Sequence, residues 1–124
     1  MSEKSLFCGI NKPADPANMT ESEKKHTPVI ECPDSVKAGE PFTVKINVGG
    51  ISHVMEETHH IQWIELYSGD NFNARFDLTP VFTKPEVSIT LVKGGKHNKA
   101  TLRATERCNV HGQWEAVKEI TVTE

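Results

Sequence analysis

The sequence predicts an all-β fold, a seven-stranded antiparallel β-sandwich of immunoglobulin-like type that follows an irregular N-terminal arm. Three observations lead to this prediction. Apolar and polar residues alternate in short runs, the runs recur about every 10–12 residues with turn residues between them, and no window shows a helical period. The 124 residues suit one domain, which we divide into an arm over residues 1–22 and a body over residues 23–124.

The arm is defined by its turn-forming residues. Gly9, Pro13 and Pro16 interrupt a stretch without any apolar period. Glycine and proline at this density disrupt both helices and strands. We therefore expect residues 1–22 to be irregular and to pack on the body.

The body contains the runs that predict strands. Every second residue of each run is apolar, which indicates one buried face and one face in solvent. These runs cover residues 42–48, 72–78, 87–91, 102–105 and 120–122. A first strand begins near Val29, and the more continuously apolar residues 61–67 are typical of a central strand. Gly94-Gly95, between two lysines, predicts a hairpin turn.

Charge and composition exclude several classes of protein. The 14 Lys and Arg against 17 Asp and Glu give a net charge of −3, which argues against a basic nucleic-acid groove. No run approaches the roughly 18 apolar residues of a membrane span. Three cysteines are too few for a disulfide framework, and the first eight residues lack a signal-peptide pattern. We expect a cytoplasmic protein that binds neither nucleic acid nor membrane.

The histidines and cysteines suggest a metal site. Cys108 and His111 are three positions apart in a segment that ends in glycine, so a tight turn can bring both side chains to one ion. His26, His53 and His59 also fall at strand ends or in loops, where a rigid sandwich presents functional groups. From the residues alone, the three loop histidines are explained equally well as ordinary solvated side chains.

The remaining histidines and cysteines are expected to lie outside this site. His60 points away from His59 if the strand has begun there, and His97 lies in a charged turn. We therefore expect both to be surface residues. Cys8 and Cys32 are interpreted as unreactive thiols that form no disulfide.

Four imidazoles and one thiolate would favour particular metals. Five donors exceed the four of structural zinc sites, and they are spread over 85 residues (111 − 26) rather than arranged in two close pairs. Imidazole suits iron, copper, nickel and zinc, and thiolate adds softness. A sixth, open position would bind a small molecule. A thiolate opposite that position would push electron density toward the bound molecule, as in thiolate-ligated haem.

Three segments carry a resemblance to superoxide reductases of the neelaredoxin/desulfoferrodoxin family. Residues 23–31 resemble the family's Glu-Lys-His-x-Pro-x-Ile segment, and residues 51–66 are similar to its Ile-Pro-His…His-His-Ile-x-x-Ile-Glu-Leu segment. Residues 108–115 resemble its Cys-Asn-x-His-Gly-x-Trp segment. The resemblance covers residues 23–124 and keeps the order and the ligand spacing, and it implies a one-iron member.

The resemblance implies a site and a reaction. A mononuclear iron would be held by an axial Cys108 and by four equatorial histidines, His26, His53, His59 and His111. The reaction would reduce superoxide to hydrogen peroxide with one electron and two protons, without release of dioxygen. A rubredoxin-like donor would reduce the iron again, and the chain would form a homo-oligomer, either a tetramer or a dimer.

The chain departs from the family pattern just before its first histidine. Lys25 takes the lysine position, Lys24 takes the glutamate position, and Glu23 lies one residue further out. The hypothesis is that Lys25 attracts superoxide and orders water for protonation, with Lys24 as an alternative. The family's glutamate is the reversible sixth ligand of oxidised iron. Here either Glu23 reaches the iron through a local bulge, or the ferric site binds solvent or stays open.

Two other readings place the same residues in different kinds of protein. A cupredoxin-like electron-transfer protein is also a β-sandwich with a late Cys-x-x-His, but a methionine usually follows that histidine. Every methionine of this chain precedes Cys108, Gln113 is the one substitute, and two histidines would be left unexplained. A structural zinc site in an interaction domain is the other reading. Metal analysis with a visible spectrum distinguishes the three.

Overall fold

The computed structural model describes residues 5–94 and 98–124, which form nine strands and one short helix. The strands are β1 (Ile10–Asn11), β2 (Pro28–Glu31), β3 (Ser35–Lys37), β4 (Phe42–Val48), β5 (Ile61–Ser68), β6 (Asn71–Asp77), β7 (Glu86–Leu91), β8 (Lys99–Cys108) and β9 (Gly112–Thr123). The helix α1 is Glu21–His26. The predicted turn glycine Gly95 and the predicted surface residue His97 lie outside the described residues.

The strands form two sheets. The larger sheet has the order β1-β9-β8-β5-β6, with β3 also paired to β9, and the smaller sheet has the order β2-β4-β7. The predicted all-β fold is confirmed, and the seven predicted strands correspond to β2 and β4 to β9. The short strands β1 and β3 run parallel to β9. Strands of two and three residues are too short to show an alternating pattern.

One hydrophobic core lies between the two sheets. In β4 the residues Val44, Ile46 and Val48 are buried and their neighbours are exposed or half-buried. Ile64 and Leu66 of β5 join the same cluster from the larger sheet. This two-layer packing is consistent with the predicted immunoglobulin-like sandwich. Among residues 5–94 and 98–124, no helix has the length and apolar character needed to span a membrane.

Helix α1 contradicts the expectation that the chain has no helix. Thr20 is its N-cap: the Thr20 hydroxyl accepts a hydrogen bond from the Glu23 backbone N–H at 3.1 Å, and the Glu23 carboxylate accepts one from the Thr20 backbone N–H at 2.8 Å. This capping box compensates for the short length of six residues. The helix crosses the proposed boundary between residues 22 and 23, and the division into arm and body stays a prediction.

The C-terminal end of α1 packs directly on Gly49. A Cβ atom at Gly49 would lie 2.3 Å from the Lys24 carbonyl oxygen and 2.9 Å from that of Thr27. Gly49→Ala is therefore expected to displace the segment that carries His26 and to lower the free energy of unfolding by about 2 kcal/mol, as overpacking does. Urea unfolding of the metal-free chain measures this loss.

Gly50→Ala is the matched control, because a Cβ atom there would lie 3.9 Å from the nearest of these atoms, the Lys24 oxygen. This variant should unfold at the same urea concentration as the unmodified chain. Equal losses in both variants would contradict the assigned role of the contact between Gly49 and α1.

Candidate metal centre

Five side chains from three parts of the fold meet at one place. His26 is the last residue of α1, and His53 and His59 lie in the loop between β4 and β5. Cys108 ends β8, and His111 lies in the turn that leads into β9. Residues that are 85 positions apart in sequence are in contact here, because the β5–β8–β9 pairing brings the loop and the turn to the same side of the molecule.

The four imidazole rings form a closed square. Neighbouring centroids are 4.7 Å (His26–His53), 4.6 Å (His53–His59), 5.0 Å (His59–His111) and 4.7 Å (His111–His26) apart. Each neighbouring pair is tilted by 67–85°. The diagonal pair His26 and His59 is 6.3 Å apart and tilted by only 29°. Such an arrangement lets four ring nitrogens point toward a common centre.

The ring nitrogens and the sulfur are close enough to share one ion. His26 Nε2 lies 3.2 Å from His53 Nε2 and 3.1 Å from His111 Nδ1, and Cys108 Sγ lies 3.7 Å from His111 Nδ1. One donor atom from each of His26, His59, Cys108 and His111 lies within 4.8 Å of the others. Imidazole nitrogens bind zinc at about 2.0–2.1 Å, so two such ligands at right angles stand about 3 Å apart. The observed separations match this value.

Backbone carbonyl groups fix the orientation of two of the rings. His26 Nδ1–H donates to the Ser22 carbonyl oxygen at 2.7 Å, and His53 Nδ1–H donates to the Val54 oxygen at 2.7 Å. In each ring the proton is held on Nδ1, which leaves the lone pair of Nε2 facing the other histidines. This is the usual second-shell arrangement around metal-binding histidines.

The surroundings of the His59 side chain test whether a metal ion fits between the four rings. The His59 Nε2 atom is buried and has no hydrogen-bond partner among the described residues. A buried polar atom without a partner costs about 1–3 kcal/mol. An ion at the centre of the square would give this nitrogen its partner, so the donor set fits a metal better than it fits an empty interior.

Burial keeps the histidines in the form that binds metals. Removal from water lowers the pKa of His26 and His59, and it lowers the pKa of His53 from 6.5 to about 4. At neutral pH these three rings are therefore uncharged and their lone pairs are available. Metal ligands of this type must be unprotonated.

Cys108 is fully buried at the end of β8. Burial raises the pKa of its thiol, while the backbone N–H groups of Val110 and His111 donate hydrogen bonds to the sulfur and act in the opposite direction. A metal ion deprotonates a coordinating thiol outright. The two N–H groups would then stabilise the thiolate.

A cavity opens on the histidine side of the centre. Its volume is about 270 Å³, which is ample for a diatomic molecule. It is lined by Lys25, His26, Ser52, His53, Val54 and His59. Cys108 is not part of this lining, so the cavity gives access to the imidazole face of the site.

The three candidate catalytic residues occupy different places. Lys25 is half-buried and lines the cavity, whereas Lys24 is exposed and does not belong to the lining. The Glu23 carboxylate accepts hydrogen bonds from the backbone N–H groups of Thr20 and Ala14, at 2.8 and 3.1 Å. To reach the histidines it would have to leave both partners. Its role as a ligand of oxidised iron stays a prediction.

The other histidines and cysteines of the described chain lie outside the cluster. His60 is half-buried, and its Nδ1–H donates to the Glu56 carbonyl oxygen at 3.1 Å. Cys8 is exposed and Cys32 is half-buried, and both are free thiols in this structure.

Sequence reasoning missed Glu106, two residues before Cys108. Its side chain is fully buried, and neither carboxylate oxygen has a hydrogen-bond partner in the described part of the chain. Burial raises the pKa of this carboxyl from 4.5 to about 9, so it is uncharged at neutral pH. The signal was the alternation in β8, because Leu102, Ala104, Glu106 and Cys108 fall on one face.

Comparison with known proteins agrees with this site. The family model described as desulfoferrodoxin matches residues 18–117. A Methanocaldococcus jannaschii protein with a provisional superoxide reductase name is 53% identical over 115 residues, which are 92% of this chain and 95% of that protein. The neelaredoxin of Megalodesulfovibrio gigas is 34% identical over 119 residues, with 80% of this chain and 88% of that protein covered.

Solved structures agree as well. The superoxide reductase (neelaredoxin) of Ignicoccus hospitalis superimposes with a TM-score of 0.74 at 40% identity, covering 91% of this chain and 94% of that one. The superoxide reductase of Nanoarchaeum equitans gives a TM-score of 0.64 at 31% identity, covering 82% and 97%. The family match includes all five metal-binding candidates and most of the chain. The chain therefore belongs to the desulfoferrodoxin family.

Proposed function

We propose that the chain is a superoxide reductase, an oxidoreductase that reduces superoxide to hydrogen peroxide at a mononuclear iron centre and so detoxifies reactive oxygen. The observation that carries this proposal is the convergence of four imidazoles and one buried thiol beside an open cavity. Relatives named superoxide reductase or neelaredoxin match over most of the chain and support it. A cupredoxin-like carrier is not favoured, because it would use only two of the four histidines.

His26, His53, His59, His111 and Cys108 would hold the iron. An iron ion held by these residues would supply the one-electron chemistry, with superoxide as the acceptor and an external protein as the donor. The carbonyl groups of Ser22 and Val54 keep two rings in the binding tautomer. The N–H groups at Val110 and His111 hold the sulfur, and complete burial of Cys108 excludes water from it.

Lys25 is the cationic residue of the cavity wall. Its side chain is 44% exposed and its ammonium lies 3.6 Å from Glu21, a surface pair that holds it weakly. An ammonium about 6 Å from a superoxide anion contributes about 0.7 kcal/mol in water and about 3 kcal/mol at an effective dielectric of 20. Lys25 would attract the anion into the cavity and order water that delivers the protons.

Lys25→Ala is expected to lower the second-order rate constant for superoxide between a few-fold and about a hundredfold, because the attraction of about 0.7–3 kcal/mol is lost. The dependence of the rate on ionic strength should also weaken. Pulse radiolysis or stopped-flow mixing at several salt concentrations measures both. Lys24→Ala is the matched control and should leave rate and salt dependence unchanged, since Lys24 lies outside the cavity lining. Equal losses in the two variants would contradict the assignment to Lys25.

The stoichiometry of the reaction tests the proposed function. Each superoxide should consume one electron and two protons, yield one hydrogen peroxide and release no dioxygen. The iron-loaded chain with an excess of reductant, an oxygen electrode and a peroxide assay give these ratios. Dioxygen release with half as much peroxide would indicate dismutation instead. A purified protein with copper or zinc in place of iron would reject the proposal.

We also propose the partners and the location that the sequence resemblance implies. A rubredoxin-like protein would reduce the iron, and the chain would assemble as a dimer or tetramer in the cytoplasm. Light scattering and donor-dependent re-reduction kinetics test the two partner proposals.

A further inference from the structure

The N-terminal arm touches both of the chain segments that supply ligands from opposite ends of the sequence. His26 ends helix α1, whereas Cys108 and His111 belong to the β8–β9 turn. The part of the described arm that precedes helix α1, residues 5–20, contacts that turn and the start of β9 through Leu6, Ile10 and Asn11 and contacts the helix through Ala14. The contacts of the arm therefore affect the position of helix α1 relative to the β8–β9 turn.

The first contact is a close approach of backbone to backbone at Gly112, the residue after His111. Gly112 has φ +79°, and a Cβ atom there would lie 2.3 Å from the Leu6 carbonyl oxygen. Only glycine fits both the left-handed conformation and this contact. The arm thus packs directly against the turn that supplies Cys108 and His111.

Asn11 stabilises this contact with two side-chain hydrogen bonds. Its side-chain amide donates one hydrogen bond to the Leu6 carbonyl oxygen and a second to the Gln113 carbonyl oxygen, both at 2.8 Å. The arm is joined to β9 at the same place, since Ile10 pairs with Gln113 and Asn11 pairs with Trp114 in a parallel ladder. The Asn11 amide therefore connects two residues of the arm, and it also connects the arm to β9, which starts at the metal-binding turn.

Trp114, the ladder partner of Asn11, contacts two of the histidines. Its Nε1–H donates to the His111 carbonyl oxygen at 3.1 Å. Its ring stacks on the His26 ring, with centroids 5.3 Å apart and planes tilted by 24°. The residue that pairs with Asn11 thus touches one ligand from each segment.

Charged residues support the same stretch of the arm. The Lys12 ammonium lies 2.9 Å from the Glu115 carboxylate, which is only 11% exposed and also lies 3.6 Å from Arg103. The Arg107 guanidinium, next to Cys108, lies over the Phe7 ring at 5.5 Å. These contacts involve arm residues on both sides of Asn11 in the sequence.

Further along the chain, the arm is hydrogen-bonded to helix α1 through Glu23. The Ala14 backbone N–H donates to Glu23 Oε2 at 3.1 Å, while Glu23 Oε1 caps the helix at Thr20. The same helix orients His26 through the Ser22 carbonyl group. The arm is therefore connected by hydrogen bonds to helix α1 and to β9 beside the turn.

We propose that the arm holds the Cys108–His111 turn against helix α1 and that Asn11 is a positioning residue for the metal ligands. The arm supplies none of the five metal-binding side chains. It fixes the distance between His26 and the two ligands of the turn, so it governs how tightly the centre retains iron and how the thiolate is aligned. This proposal concerns the metal centre and stands or falls separately from the reduction of superoxide.

The experiment compares Asn11→Ala with Asn18→Ala in the iron-loaded full chain. Asn18 is an arm residue whose side chain, within the described residues, donates to Asp15 alone, which makes it a matched control. Loss of iron to an excess of chelator should be about tenfold faster in Asn11→Ala, the lower end of the range for groups that hold metal ligands. The thiolate-to-iron absorption band of the ferric protein should shift. Asn18→Ala should match the unmodified chain in both readouts.

A second variant covers the case in which Asn11→Ala does not fold. Lys12→Gln removes one exposed partner of Glu115 and leaves Arg103 in place, so a milder acceleration of iron loss, about two- to threefold, is expected for the loss of a surface ion pair. Urea unfolding of the metal-free variants separates positioning from general stability. Unchanged iron release and an unchanged band in every folded variant would overturn the proposal, even where the unfolding midpoint falls. Superoxide turnover is not needed for either readout.

Discussion

Cys108→Ser is expected to abolish the thiolate-to-iron absorption band and to lower the rate of superoxide reduction by at least about 100-fold. Even groups that only support metal ligands cost 10- to 100-fold when they are lost, and here the one sulfur ligand is removed. A serine hydroxyl is smaller and holds its proton far more firmly than a thiol, so it supplies neither the charge nor the softness of thiolate. The visible spectrum of the ferric protein and the second-order rate constant measure the two effects.

The fold should survive this replacement, because serine keeps the shape of cysteine and two backbone N–H groups remain to meet its oxygen. Circular dichroism of the metal-free variant checks this point. Cys32→Ser is the matched control, since Cys32 is a half-buried free thiol outside the cluster. It should retain the band and full activity. An unchanged band in Cys108→Ser would mean that the sulfur does not bind the metal.

The family resemblance implied which residues meet, whereas the residue pattern alone left the three loop histidines open, and neither indicated how the five side chains are arranged. Cys108 and His111 are close in sequence, so a tight turn was enough to pair them. His26, His53 and His59 were placed at strand ends by local alternation alone. Their assembly into a square depends on the register of β5 against β8 and of β8 against β9. A pattern of period two fixes the buried face of a strand but does not determine its partner.

Helix α1 could not be predicted from the spacing of apolar residues. Six residues are too few for a helical period, and the segment contains no apolar residue to define a face. Its stability comes from the capping box of Thr20 and Glu23 and from packing on Gly49. The Thr-x-x-Glu signature was present in the sequence and could have located the helix. The packing could not have been predicted, because it joins residues about 25 positions apart.

The same capping box bears on the expected chemistry of Glu23. A carboxylate that accepts two backbone N–H hydrogen bonds is favoured in its charged form, and these bonds lower its pKa. In this structure the carboxylate charge therefore faces the helix N-terminus and the arm. The shift of one residue relative to the family pattern, visible in the sequence, agrees with this structural use.

His59→Ala is expected to separate metal binding from folding. Removal of one of four imidazoles should weaken iron binding by at least about 100-fold, since even supporting groups change affinity by 10- to 100-fold. The metal-free chain should lose little, because the ring's buried Nε2 has no partner in the described structure and is a cost to folding. Its free energy of unfolding should stay within about 1 kcal/mol of the unmodified value. Chelator competition and urea unfolding give the two numbers.

The adjacent His60→Ala is the control, because this residue has the same chemistry and almost the same position in sequence. Its ring is bonded to the Glu56 carbonyl group and lies outside the donor cluster. Iron affinity should therefore be unchanged in this variant, whereas the loop between β4 and β5 loses one hydrogen bond. If His60→Ala releases iron as readily as His59→Ala, the loop rather than the ring nitrogen determines affinity, and the square of imidazoles is not the metal site.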